Sequence, residues 1–304
     1  MLRGEQMKKL KIIQNPSSGR VGFEDEFNEL CRLLLNKSYI MHLFKTQKKD
    51  DAYYEAKLAV SEGYDMIIVS GGDGTVNEVA KALYESQTEI PMAIFRTGTV
   101  NDFANHLKLP NTAEAFLRLV ESHHKIPVDI GVINGDVFIN IAAAGIFTSI
   151  AHETKKEVKK YLGRSAYYLE AMMNLPKSLT QSYRLKVTSD EFNHEDDYHL
   201  FLITNSSSVG GFDKMSPIAE IQDGYFDCIF LKKAPIVMQA DLFMKILMGK
   251  HLESKYVDFF RSKHLQIELM DDQKLDLDID GEQGGDFPID IEVVPAAIYV
   301  IAEE

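Results

Sequence analysis

Cysteine is scarce: Cys31 and Cys228 are the two in 304 residues. They lie far apart, each in an apolar stretch, which excludes a disulfide framework or a cysteine metal site. They read as small buried hydrophobes of a reducing compartment. No stretch approaches the roughly 20 apolar residues that span a bilayer, and residues 1–11 hold no secretory apolar core. The expected location is the cytoplasm. Positive charge is also short, with 33 Lys and Arg against 46 Asp and Glu, a net charge of −13. That balance argues against a general nucleic-acid binder. There is no internal repeat and no low-complexity linker. Near residue 70, where glycines cluster, neither G-x-x-x-x-G-K-S/T nor G-x-G-x-x-G occurs, so the usual P-loop and dinucleotide fingerprints are missing.

The length suffices for two domains. The first part alternates strand and helix patterns. Strands are expected at 9–14, 39–45, 66–69 and 92–95, and helices at 24–36, 51–63, 75–85 and 112–121. Such alternation predicts a doubly wound α/β domain, a parallel sheet with helices on both faces. Ligands of such sheets bind beyond the carboxyl ends of the strands. After residue 130 the pattern turns to short alternating runs. A hairpin is expected around Asn134–Gly135, then strands at 184–188, 199–204, 226–231, 265–269, 275–279 and 289–294, with helices at 151–173 and 237–249. The second domain is therefore β-rich.

The most informative segment follows the apolar run Met66–Val69. Gly71–Gly72–Asp73–Gly74–Thr75 places bare backbone N–H groups between a strand and a helix start, a setting that suits phosphate. A carboxylate at Asp73 would repel phosphate unless a cation sits between them, which points to a magnesium–nucleotide complex. A tight turn with an Asp or Thr helix cap is the simpler alternative. Two further loops leave the same sheet edge, Asn15–Arg20 and Arg96–Asp102. Both are rich in small donors, and the convergence strengthens the nucleotide reading.

Two acidic turns occur late in the chain, Asp223–Gly224–Tyr225 and Asp280–Gly281–Glu282. An Asp-Gly pair between strands is most often a hairpin turn. Glu282 differs in being followed by Gly284–Gly285, and a turn carboxylate facing a nucleotide could act as a general base. The segment Lys155–Arg164 gathers Lys155, Lys156, Lys159, Lys160 and Arg164. It reads as a solvated face or as a patch against anionic lipid headgroups.

Taken together, Asn15–Gly19, Gly71–Thr75, Gly98–Ala104, Val128–Gly131, Lys160–Arg164, Asp223–Asp227 and Asp280–Glu282 resemble the diacylglycerol-kinase catalytic family of bacterial soluble lipid kinases. The resemblance covers nearly the whole chain. The glycine loop alone is shared with NAD kinases and phosphofructokinase-like folds; its order with the later motifs is more specific. The resemblance implies an ATP-binding domain over 1–130, a β-sandwich domain over 131–294, and a terminal strand within 295–304 that returns to the first domain.

By the same resemblance, Asn15, Pro16, Ser17, Ser18, Gly19, Thr46, Gly72, Asp73, Gly74, Thr75, Val76, Asn77, Glu78 and Thr99 match nucleotide-binding positions. Asp73 matches the residue that organises magnesium. Asp102 and Asp129 match acids of the surrounding metal–water network. Asp223, with Glu220 and Tyr225 beside it, matches the ligands of a structural magnesium. Glu282 matches the catalytic base. The implied activity is transfer of phosphate from ATP to the hydroxyl of diacylglycerol, with transient contact at the inner face of the membrane. Other acceptors (a sphingoid base, phosphatidylglycerol or NAD) stay open, as do a nucleotide-binding relative without catalysis and a homodimer.

Overall fold

The structure, a computed structural model, describes residues 7–18, 23–37, 39–98, 100–145, 181–212 and 214–303. The expected helix at 151–173, the basic segment Lys155–Arg164, Gly19, Arg20 and Thr99 lie outside the described residues. The chain divides into two units, residues 1–128 with 297–304, and residues 129–296.

The first unit is built on a parallel sheet of β1 (Lys8–Gln14), β2 (Tyr39–Lys45), β3 (Met66–Gly71) and β4 (Met92–Arg96). The end of the last strand, β15 (Ile289–Ile301), completes it in the order β15–β4–β3–β1–β2. β3 is buried along its whole length, as a central strand covered on both faces must be. The helices are α1 (Phe23–Leu35), α2 (Asp51–Ser61), α3 (Asp73–Glu85), α4 (Asp102–His106) and α5 (Ala113–Ser122). α1 buries Phe27, Leu30 and Leu34, one stripe at helical spacing. Phe27 and Phe116 of α5 both pack on Phe95 of β4, with ring centroids 6.4 and 5.0 Å away.

The second unit is antiparallel. Its strands are β5 (Lys125–Ile133, entering from the first unit), β6 (Asp136–Phe138), β7 (Ile141–Gly145), β8 (Tyr183–Ser189), β9 (Asn193–Thr204) and β10 (Phe226–Lys232). After α6 (Ile236–Met248) come β11 (Val257–Ser262), β12 (His264–Leu269), β13 (Leu277–Ile279), β14 (Glu282–Gln283) and the first part of β15. The β5–β6 hairpin turns at Asn134 and Gly135, with φ of 49° and 91°, the left-handed pair that a two-residue turn needs.

β9 and β10 are apolar on both sides. Phe201, Ile203, Phe226, Cys228 and Phe230 face one interior with Phe138, Leu265 and Ile291. Leu200, Leu202, Ile229 and Leu231 face a second, closed by Leu242 and Ile246 of α6. Both cysteines are free, and burial pushes the Cys228 thiol up. Among the described residues no helix is long and apolar enough to cross a membrane.

Candidate functional site

Three loops at the carboxyl ends of β1, β3 and β4 meet in the first unit. Their contact depends on glycine. A Cβ on Gly98 would lie 2.6 Å from Gly72 Cα, and one on Gly71 would lie 2.6 Å from Thr75 Cβ. Gly98 N–H also donates to Gly71 O at 3.2 Å. Asn15 ties the first loop to the second: its Nδ2 donates to Thr75 Oγ1 at 3.0 Å, and its Oδ1 accepts from the Ser17 N–H and hydroxyl. Asn101 shapes the third. It sits at φ 55°, and its side chain bonds both the N–H and the carbonyl of Gly98, at 3.1 and 2.6 Å. Asn101 is a positioning residue for the third loop; its signal in sequence is an asparagine, tolerant of the left-handed region, just before a helix start.

The helix after the glycine loop begins earlier than the expected Thr75. Gly72 is its N-cap, without a side-chain cap, and Asp73 is its first residue. The half-buried Asp73 carboxylate accepts the Asn101 N–H at 3.0 Å, joining the second loop to the third. Burial, and then the charge of Asp102, push its carboxyl up to about 7. Asp102 opens α4 and is itself buried.

A carboxylate whose ionisation is made costly by burial and by a second acid, each of the two opening a helix, suits a divalent cation. Magnesium in phosphoryl-transfer sites is typically held by one or two carboxylates plus phosphate oxygens, so a two-acid set is adequate. Gln14 Oε1, Ser70 Oγ and Thr97 Oγ1, at the ends of the same three strands, are buried without a hydrogen-bond partner. Orphaned polar atoms are rare inside proteins. Here they stand beside loops that a polar ligand could fill, so the residues present fit a magnesium–nucleotide complex.

The structure does not bring every assigned nucleotide position to these loops. Val76 is buried in the core and its N–H is committed to Gly72 O. Glu78 accepts the Ala52 N–H at 3.1 Å, and so serves the N-terminus of α2. Thr46 is held at the strand end through its N–H to Gln14 O.

In the second unit, Glu282 opens β14 and is exposed. The turn before it is fixed by two acids. Asp280, at φ 51° and 8% exposed, accepts backbone N–H bonds from Ile139, Asn140 and Ile141 at 2.8, 3.1 and 2.8 Å. Asp278 accepts the Gly281 N–H at 2.9 Å. Of the two glycines that follow, only Gly285 is open; a Cβ on Gly284 would meet Ile279 and Leu277 at 2.8 Å. Asp280 thus positions Glu282, a role hidden in sequence because its partners lie about 140 residues away. Asp280→Ala removes three acceptor contacts and strains a left-handed position. It is expected to cost about 3 kcal/mol or more in denaturant unfolding, whereas Asp280→Asn, which keeps one acceptor oxygen, costs less.

Asp129 is fully engaged in backbone bonding. Its carboxylate accepts the N–H groups of Gly224 and Ala296 at 2.7 and 2.8 Å, which makes it a brace for the Asp223 turn rather than an open cation ligand. The structural magnesium implied at Asp223, Glu220 and Tyr225 does not fit these residues. Arg261 pairs with Asp223 and reaches Asp227 at 3.2 Å. The other Asp223 oxygen accepts the Tyr225 N–H at 2.9 Å, and Glu220 is exposed. The guanidinium also lies 5.1 Å from the Tyr225 ring centroid. It already supplies the positive charge beside both carboxylates.

Burial raises the Asp227 carboxyl, against the pull of Ser216 and Arg261. Arg261→Ala should therefore destabilise the protein by about 1–3 kcal/mol near neutral pH. A folded-state value above the unfolded one means that stability is lost as pH rises. The deficit of the variant should shrink as pH falls and Asp227 takes up a proton. Urea unfolding at pH 8 and pH 5 checks the sign.

Residues 9–133 match the family described as diacylglycerol kinase catalytic domain, and residues 140–302 match the YegS C-terminal NAD kinase beta sandwich-like domain. A diacylglycerol kinase of Staphylococcus carnosus (strain TM300) is 34% identical over 281 residues, 92% of this chain and 90% of that protein. One from Staphylococcus aureus (strain MRSA252) is also 34% identical, over 92% of this chain and 88% of its own length. A crystal structure from Bacillus anthracis str. Sterne, described as a candidate diacylglycerol kinase, superposes with a TM-score of 0.82 at 26% identity, covering 98% of both chains.

Proposed function

Because the chain belongs to the diacylglycerol kinase family, we propose that it transfers the γ-phosphoryl group of ATP to the free hydroxyl of diacylglycerol, giving phosphatidic acid. The observation that carries this reading is the meeting of three small-residue loops around Asp73 at one end of a parallel sheet. Phosphoryl transfer asks a protein chiefly for positioning and charge neutralisation. The Gly72–Thr75 backbone at the start of α3 would cradle the phosphates. Asp73 and Asp102 would hold magnesium, which when bound neutralises charge on the phosphate oxygens. Asn15 and Asn101 fix the loops that carry these groups. Glu282 would take the proton from the lipid hydroxyl as its oxygen attacks phosphorus. Asp280 and Asp278 hold the turn from which Glu282 projects.

A radiolabelled ATP assay against diacylglycerol, a sphingoid base, phosphatidylglycerol and NAD tests the acceptor directly. Labelled phosphatidic acid is the expected product. Label on NAD alone would replace diacylglycerol by a soluble acceptor and overturn the lipid reading.

A further inference from the structure

We propose that the outward face of α6 docks the protein on an anionic lipid bilayer. α6 buries Gln239, Leu242 and Ile246 but leaves Met238, Met244, Leu247 and Met248 between 41% and 55% exposed. These are four of the eleven large hydrophobics that are exposed among the described residues, gathered on one helix of 13 residues. A fifth, Ile218, is 52% exposed in the segment whose Lys214 side chain lies across the C-terminal Gly249 of the helix. Scattered exposed apolar side chains need no explanation; a contiguous set on one element marks an interaction surface.

Charge selects the occupant. The chain carries −13 overall, and Lys232 and Lys233 are held by Asp258 and Asp197. But the C-terminal end of the helix and the residues after it carry the exposed Lys250 and Lys255, with the exposed Lys214 beside Gly249. Asp241 is paired with Lys245 at 2.7 Å, while Lys250 follows the helix and is exposed. An apolar stripe with lysines at its end is the pattern of a helix lying in the plane of a membrane interface, apolar side down. Methionine suits that place, being flexible and able to conform to an irregular apolar phase. At 1.5 Å per residue the helix is about 20 Å long, too short to span the bilayer and long enough to lie on it. The proposal rests on the lipid-kinase reading, since an acceptor that resides in a membrane requires a surface that meets it.

The chain has no tryptophan, so one placed at this face reports on it alone. In the full chain, Met248→Trp should show a blue shift of emission when vesicles of phosphatidylcholine and phosphatidylglycerol are added. Leu58→Trp, at an exposed residue of α2 in the first unit, should show none. In co-sedimentation with the same vesicles, the Met244→Glu, Met248→Glu double variant should bind about tenfold less than wild type, and Met244→Leu with Met248→Leu should bind as wild type does. Circular dichroism and size exclusion verify that each variant is folded. No blue shift at residue 248, or glutamate variants that sediment like wild type, would overturn the proposal. A loss of self-association in the glutamate variants without loss of vesicle binding would overturn it in favour of a second copy. Vesicle binding is measured without ATP, so a protein that binds vesicles but does not phosphorylate diacylglycerol would refute the acceptor and leave the docking face standing.

Discussion

Glu282→Gln is expected to lower turnover with ATP and diacylglycerol by about 10²–10⁴-fold, the contribution typical of a general base. Glutamine keeps the size and the hydrogen-bonding oxygen of the side chain but cannot take a proton at neutral pH. Glu282 is exposed on a two-residue strand paired to Ile279, so its replacement should move stability by less than about 0.5 kcal/mol. The loops proposed to cradle the phosphates belong to the first unit and Glu282 to the second, so calorimetric ATP binding is expected to stay near the wild-type value. That combination separates Glu282→Gln from Asp280→Ala, which alters turnover and stability together by freeing the turn. Undiminished turnover in folded Glu282→Gln would remove this carboxylate from the proton transfer.

The parallel sheet was legible because its strands are short apolar runs bounded by turn residues, and β3 in particular is apolar where it must be buried on both faces. The first half of β9 was not. Asn193–Asp197 carries Glu195, Asp196 and Asp197, residues with poor strand propensity. The strand forms because β8 supplies the opposite charges: Arg184 reaches Glu195 at 3.0 Å and Asp197 at 3.7 Å. β11 was missed for a related reason. Val257–Ser262 pairs with β10 at an edge, and its mixed pattern gains meaning only when Phe260 stacks on Phe192 and Phe230.

The site divides in the same way. That the loops holding Asn15, Gly72, Asp73 and Thr75 meet was legible, because all of them leave the carboxyl ends of strands in one alternating pattern. Asn101 and Asp280 act on backbone groups, and their roles are invisible until the fold supplies the partners. Arg261 is the sharpest case. In sequence it is one arginine in a stretch of mixed pattern; in space it pairs with Asp223, the carboxylate that the motif assigns to a metal ion, and with Asp227. A motif records which carboxylates are present and says nothing of which cation meets them.

Asp73→Asn should abolish most phosphoryl transfer and, in the same protein, raise the stability of the metal-free chain. The loss follows from removing one of the two acids fit to hold magnesium near the phosphates. The gain follows from electrostatics. The Asp73 carboxyl stands at about 7 in the folded chain, against an ordinary value of 3.8. A folded value above the unfolded one penalises folding at high pH: the folded chain holds the proton more tightly, so stability falls as pH rises through that interval. At 1.36 kcal/mol per pH unit the ceiling is about 4 kcal/mol, and a half-buried group realises about 1–3 kcal/mol of it. Asparagine keeps an oxygen for the Asn101 N–H and carries no charge against Asp102. Thermal unfolding in EDTA should therefore show the variant above wild type at pH 8, with the difference closing toward pH 4. A variant that melts below wild type at pH 8 would mean that Asp73 is held by contacts the charge pair does not explain. Activity traded against stability at one carboxylate is the physical signature of a site built to receive a cation.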